Sequence, residues 1–91
     1  MKNTENLVIV SVRLDRNGWQ VNKREINLTD NREKQIGRVD TGISINRHRF
    51  MFFKVICLPD NADEWIEELK GKIKIRLREI SADLNDLLKH I

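Results

Sequence analysis

The sequence has no tyrosine, one proline (Pro59), one cysteine (Cys57) and four glycines among its 91 residues. A lone cysteine makes no intrachain disulfide, which fits a reducing compartment. Aromatics are scarce at 5%, so few rings remain for binding once a core has taken its share. Long apolar runs are also missing. The longest, Phe50 to Leu58, is interrupted by Lys54 and falls well short of the ~20 residues a bilayer requires. The segment Met1 to Asn6 carries no cleavable-leader pattern, since only Leu7 to Val10 precede Arg13 as an apolar stretch. The expected location is therefore cytoplasmic. Neither an internal repeat nor a low-complexity segment occurs, and the chain length fits one domain spanning 1–91.

The residues that carry common chemistries are also sparse. His48, His90 and Cys57 show no metal-ligand spacing. His48 lies between Arg47 and Arg49, which oppose its protonation and discourage a cation, so it reads as a surface strand residue. His90, close to the end of the expected helix, reads as solvent-facing. Cys57 sits in Val-Ile-Cys-Leu and reads as a packing residue, because reactive thiols need exposed, electropositive surroundings. No glycine-rich phosphate cradle is present. Asp63, Glu64, Glu67 and Glu68 read as a solvated helix face, not an acid–base pair. Neither an enzyme, a metal site nor a cofactor is expected.

What is present is a strand-like front and a helical back. Leu7 to Leu14 places Val8, Val10, Val12 and Leu14 on one face at period two, with Ser11 and Arg13 on the other. Asp15-Arg16-Asn17-Gly18 is a hairpin signal, since Asn and Gly tolerate positive φ. Trp19 to Leu28 should return antiparallel. Its apolar phase shifts between Trp19/Val21 and Ile26/Leu28, which predicts a bulge near Lys23-Arg24. Thr29-Asp30-Asn31 reads as a turn, Lys34 to Thr41 as a weaker strand, and Gly42 as another turn or bulge before Ile43-Ser44-Ile45. Arg47 to Leu58 is the most apolar strand. Phe50 and Phe52 lie on one side, with Met51, Phe53, Val55 and Cys57 on the other, as expected of a central strand.

Beyond Pro59-Asp60-Asn61, which should supply capping oxygens, the period becomes helical. Ala62, Ile66, Leu69, Ile73, Leu77, Ile80, Leu84, Leu87, Leu88 and Ile91 fall within roughly 60° of one stripe. Lys72 to Arg78 alternates as a strand would, but only Ile75 leaves the stripe, so the spacing predicts a continuous helix over about 62–90, with Gly71 a potential kink. The expected fold is α+β: a four-stranded antiparallel sheet (7–58) and one long amphipathic helix, ββββα. Such a helix would reach ~45 Å, whereas ordinary strands span ~17–20 Å. The far half of the stripe would then need a second copy, so a homodimer is predicted with Leu77, Ile80, Leu84, Leu87, Leu88 and Ile91 at its interface.

Charge is unevenly placed. Residues 1–59 hold eleven Lys/Arg against six Asp/Glu, whereas residues 60–91 hold six against eight. A basic strand-rich half suits an anionic partner, although a mild excess is also ordinary solvated surface. The candidate nucleic-acid-binding residues are Arg13, Trp19, Lys23, Arg24, Arg38, Arg47 and Arg49, with Arg16, Lys34 and the rings of Phe50 or Phe52 as further members; Trp19 would stack a base or staple its hairpin. A second basic set, Lys70, Lys72, Lys74, Arg76 and Arg78, is as readily explained by acids such as Glu67 and Glu68 nearby.

Val10-Ser11-Val12-Arg13, Gly18, Arg24-Glu25 and Gly42-Ile43-Ser44-Ile45, together reaching over the first half of the chain, resemble the pattern of the PC4-type transcriptional coactivators. A strand that runs on into the helix is similar to the related PUR proteins, and Whirly proteins share the element order. In the PC4 pattern the helix follows its Gly-Ile-Ser segment almost directly, whereas here Asn46 to Asn61 intervene. The resemblance implies a dimer that binds single-stranded DNA or RNA on its sheet, with transcription regulation as the process. The alternative is a small dimeric adaptor or inhibitor of the phage or plasmid type, which binds a protein and no nucleic acid.

Overall fold

The computed structural model describes residues 6–27, 32–44, 50–80 and 85–90. Four strands, β1 (Asn6–Asp15), β2 (Gly18–Asn27), β3 (Val39–Ser44) and β4 (Phe50–Cys57), form one antiparallel sheet in the order β2-β1-β4-β3. The hairpin joining β1 and β2 turns through Arg16-Asn17. The Asn17 N–H donates to Asp15 Oδ1 at 2.8 Å, and the required positive φ, 103°, falls on Gly18. The two apolar-rich strands, β1 and β4, lie in the centre, as their composition predicts.

Two strand irregularities expected from the sequence do not occur. β2 pairs with β1 in a single register from Asp15↔Gly18 to Asn6↔Asn27, without a bulge at Lys23-Arg24. The shift in apolar phase is tolerated because β2 is an edge strand, with Gln20 to Glu25 all exposed. β3 likewise runs unbroken through Gly42. The weak strand drawn from Lys34 instead begins at Val39, after a single helical turn α1 (Arg32–Gln35). Gly37, at φ 82°, reverses the chain between them and donates its N–H to Ile56 O at 2.7 Å. Ile36 and Val39, which do not share a period-two phase, belong to different segments.

A 3-10 turn, Pro59–Asn61, leads into α2 (Ala62–Glu79). Backbone bonding makes this entry, Asn61 N–H to Leu58 O at 3.0 Å, and Asn61 forms no side-chain cap. α2 passes through Gly71 and Lys72 to Arg78 as helix throughout, so the alternation there is incidental. Leu69, Ile73 and Leu77 are fully buried against Val8, Val10, Val12 and Leu14 of β1 and Met51, Phe53, Val55 and Cys57 of β4. Burial removes Cys57 from solvent and pushes its thiol above the ordinary value.

The helix does not continue to residue 90. It ends at Glu79, where the Ile80 N–H is shared between Arg76 O and Leu77 O, and a separate turn, α3 (Asn85–Leu88), follows. This break returns the far half of the apolar stripe to its own sheet. Leu77 and Leu87 are fully buried within the chain, and Ile80 and Leu88 pack beside them. The argument that the stripe outruns the sheet therefore fails for these four residues; Leu84 and Ile91 lie outside the described residues.

The helical reading of residues 72–78 is testable by substitution. Ile73→Ala should lower stability by about 2–5 kcal/mol in urea unfolding, whereas Ile75→Ala, at a side chain 60% exposed, should change it by about 0.5 kcal/mol or less. Equal losses at both positions would mark a strand.

Candidate nucleic-acid interface

Antiparallel pairing places directly opposed residues on one face, and period two sends alternate residues to opposite faces. With Val8, Val10, Val12 and Leu14 beneath the helix, the other face of the sheet is fixed. Read across the strands, beyond the Leu7–Ile26 pair, of which Leu7 is fully buried, it forms four rows. Arg24, Ile9 and Ile56 make the first, and Asn22, Ser11, Lys54 and Asp40 the second. Gln20, Arg13, Phe52 and Gly42 make the third; Asp15 and Phe50 stand in the fourth.

The third and fourth rows are the most organised part of this face. Arg13 projects its guanidinium over the Phe50 ring, 4.5 Å from the centroid, and its Nε lies 3.3 Å from Asp15 Oδ2. Phe50 and Phe52 stack with centroids 6.2 Å apart and planes 22° from parallel. Both rings are half-buried, leaving part of each open. Gly42 explains how Phe52 lies down: a Cβ there would clash with the Phe52 ring at Cε1, so only glycine lets the ring cross β3. Beside the rings, Ser11, Arg13, Asp15, Asn17, Gln20 and Asn22 line a shallow polar trough. The face thus combines an aromatic platform, a positioned guanidinium and amide groups able to donate and accept.

The candidate residues separate between the two faces. Arg13 and Arg24 lie on the open one. Trp19 and Lys23 lie on the helix side, opposite Leu14 and Val10, and do not join them. Lys23 Nζ sits 3.5 Å from Asp63 Oδ1 in an exposed pair. Arg38 stands exposed just ahead of β3, 3.8 Å from Asp40 Oδ1. Arg16 is in the hairpin turn and Lys34 in α1, both exposed. Arg47, Arg49 and His48 lie outside the described residues. Lys54, Gln20 and Asn22 were missed, although period two from Phe50 and from Trp19 already assigns them their faces.

Trp19 has a structural task. Its indole Nε1–H donates to His90 O at 3.0 Å, and Lys70 Nζ lies 5.6 Å from its ring centroid. The His90 ring, expected to face solvent, is half-buried over the hairpin, where Nε2–H donates to Arg16 O at 3.2 Å. Together these bonds fasten the segment after α2 to the β1–β2 turn.

Comparison with family models, curated proteins and solved structures gives no match. Among the described residues, no group of three or more His, Cys, Asp or Glu side chains is placed to hold a metal ion, and no helix is long and apolar enough to cross a membrane.

Two substitutions test these placements. Gly42→Ala should cost about 1–3 kcal/mol by overpacking, and much of that cost should vanish in a Phe52→Ala background; strictly additive losses would contradict the ring's position. Trp19→Phe should cost about 1 kcal/mol and accelerate amide exchange in residues 85–90 while the β1–β4 pairing stays protected. Unchanged exchange there would show that the indole bond does not hold this segment.

Proposed function

We propose that this chain binds single-stranded DNA or RNA on the open face of its sheet. The observation that carries the reading is the Phe50–Phe52 stack beside Arg13, at the edge of a polar trough. Unpaired bases offer π-faces to such a platform whatever their sequence, and each base–aromatic stack contributes about 1–3 kcal/mol. Lys54 and Arg24, one or two rows away, are placed to meet phosphates, and Gln20, Asn22 and Ser11 to meet base edges or sugars. Arg47 and Arg49 are proposed to extend the cationic track. Trp19 and Lys23 are withdrawn from the contact surface because they serve the helix side. The basic excess of residues 1–59 and the resemblance to PC4-type, PUR and Whirly proteins support the same reading, and transcription regulation is the process that resemblance would suggest.

A second reading keeps one observation of its own. Asp15 and Asp40 stand on the same face as Arg13, Arg24 and Lys54, leaving those five groups nearly balanced in charge. A near-neutral face with exposed amides also suits a protein partner, as in a small adaptor or inhibitor.

A fluorescence-anisotropy titration with single- and double-stranded oligonucleotides separates the two. Single strands should bind more tightly. Phe52→Ala and Arg13→Ala should each weaken binding by about fivefold or more, and replacing Arg47 and Arg49 by Ala should weaken it without loss of folding. The logarithm of affinity should fall linearly with that of salt, at a slope of about −0.7 per phosphate contacted. Affinity indifferent to these changes, or none at low salt, would reject the nucleic-acid reading.

A further inference from the structure

Among the described residues, the outer face of α2 is a surface that the sheet, the trough and the fastening of His90 to the hairpin leave unused. At about 100° per residue, Gly71 lies diametrically opposite the buried stripe of Leu69, Ile73 and Leu77. Glu64, Glu67, Glu68, Lys74, Ile75 and Arg78 line the same outer face, and all six are exposed. Glycine in the middle of a helix is unfavourable unless something requires its lack of a side chain. Among the described residues nothing does: a Cβ at Gly71 would meet none of their atoms within 4 Å. Its φ is not in the positive region that would explain it either.

The charges around it are arranged in two blocks. Asp60, Asp63, Glu64, Glu67 and Glu68 follow one another with no cation among them, and Lys70, Lys72, Lys74, Arg76 and Arg78 surround and follow Gly71 with no acid among them. Within the helix, Lys70 pairs with Glu67 at 4.0 Å and Arg76 with Glu79 at 3.0 Å. A helix with an acidic first half and a basic second half complements an antiparallel copy of itself.

We propose that two copies of this chain associate through the outer faces of α2, antiparallel, crossing at Gly71. A two-fold axis at that glycine sets Glu68 against Lys74 of the second copy and Glu64 against Arg78, with each pair made twice. Ile75, 60% exposed in the single chain, is covered by the stem of Glu67 from the second copy. Glycine at the crossing lets the two backbones approach closely, which brings the flanking charges within reach. Such an isologous contact is the usual form of a small homodimer. It differs from the interface expected from the apolar stripe, whose residues Leu77 and Leu87 are consumed in the chain's own core. The two open sheet faces then point away from each other, so a dimer would engage two separate ligands. The inference is independent of what those faces bind.

Sedimentation velocity without oligonucleotide, over micromolar to millimolar concentrations, tests it. The wild-type chain should sediment at twice its 10.8 kDa mass. Gly71→Gln, which improves helix propensity while adding bulk, should weaken association about tenfold or more with native helicity retained. The double variants Glu64→Lys/Glu68→Lys and Lys74→Glu/Arg78→Glu should each be monomeric alone and dimeric when mixed. A wild-type monomer across this range would overturn the proposal. So would a dimer that survives Gly71→Gln, or charge-reversed variants that fold but fail to associate on mixing.

Discussion

The fit of Leu69, Ile73 and Leu77 onto the even-numbered residues of β1 is the contact on which the other features depend. A helix stripe of period 3.6 meets two central strands of period two, and both periodicities are satisfied by the same buried layer. Each fully buried aliphatic side chain contributes roughly 1.5–3 kcal/mol, so this layer is the main source of stability in a small domain. It also fixes orientation. Once Val8, Val10, Val12 and Leu14 face the helix, Ser11, Arg13 and Asp15 must face away, and register carries that assignment across the sheet to Phe50, Phe52 and Lys54.

Two glycines show how backbone space is used around this core. Gly37 takes a positive φ so that the chain can leave α1, bond to the end of β4 and enter β3. Gly42 needs no unusual dihedral. It is required by the Phe52 ring lying across it, which converts an ordinary edge strand into the floor of an aromatic platform. The Trp19 indole and the His90 ring then fasten the last described turn over the β1–β2 hairpin, on the side opposite the platform. Among the described residues, the cationic and aromatic groups are thereby divided between the helix side, which Trp19 and Lys23 serve, and the opposite face, where Arg13, Phe50 and Phe52 stand.

Local periodicity made the element order legible, because β1, β4 and α2 each obey one pattern over most of their length. The open face was only partly legible. Its members come from all four strands, and no run of neighbouring residues announces that Arg13, Phe50 and Phe52 meet. Trp19 looked like a binding ring from its place beside basic residues, yet pairing with Leu14 turns it toward the helix. The bulge expected in β2 and the break expected at Gly42 were inferred from side-chain phase and composition. At an edge strand neither constrains the backbone strongly, because burial on both faces is not demanded there.

The sequence by itself determined which segments are strands and which is helix, and which side of each is apolar, since those properties follow from spacing along one chain. It also determined that charge is divided between a basic front and an acid-then-base helix. The tertiary structure decided where α2 ends and that Leu87 returns to the core. It likewise decided which cations share a face and that Gly42 accommodates a ring from β4. These depend on contacts between residues far apart in the chain, whose geometry is set by register and packing and not by local pattern.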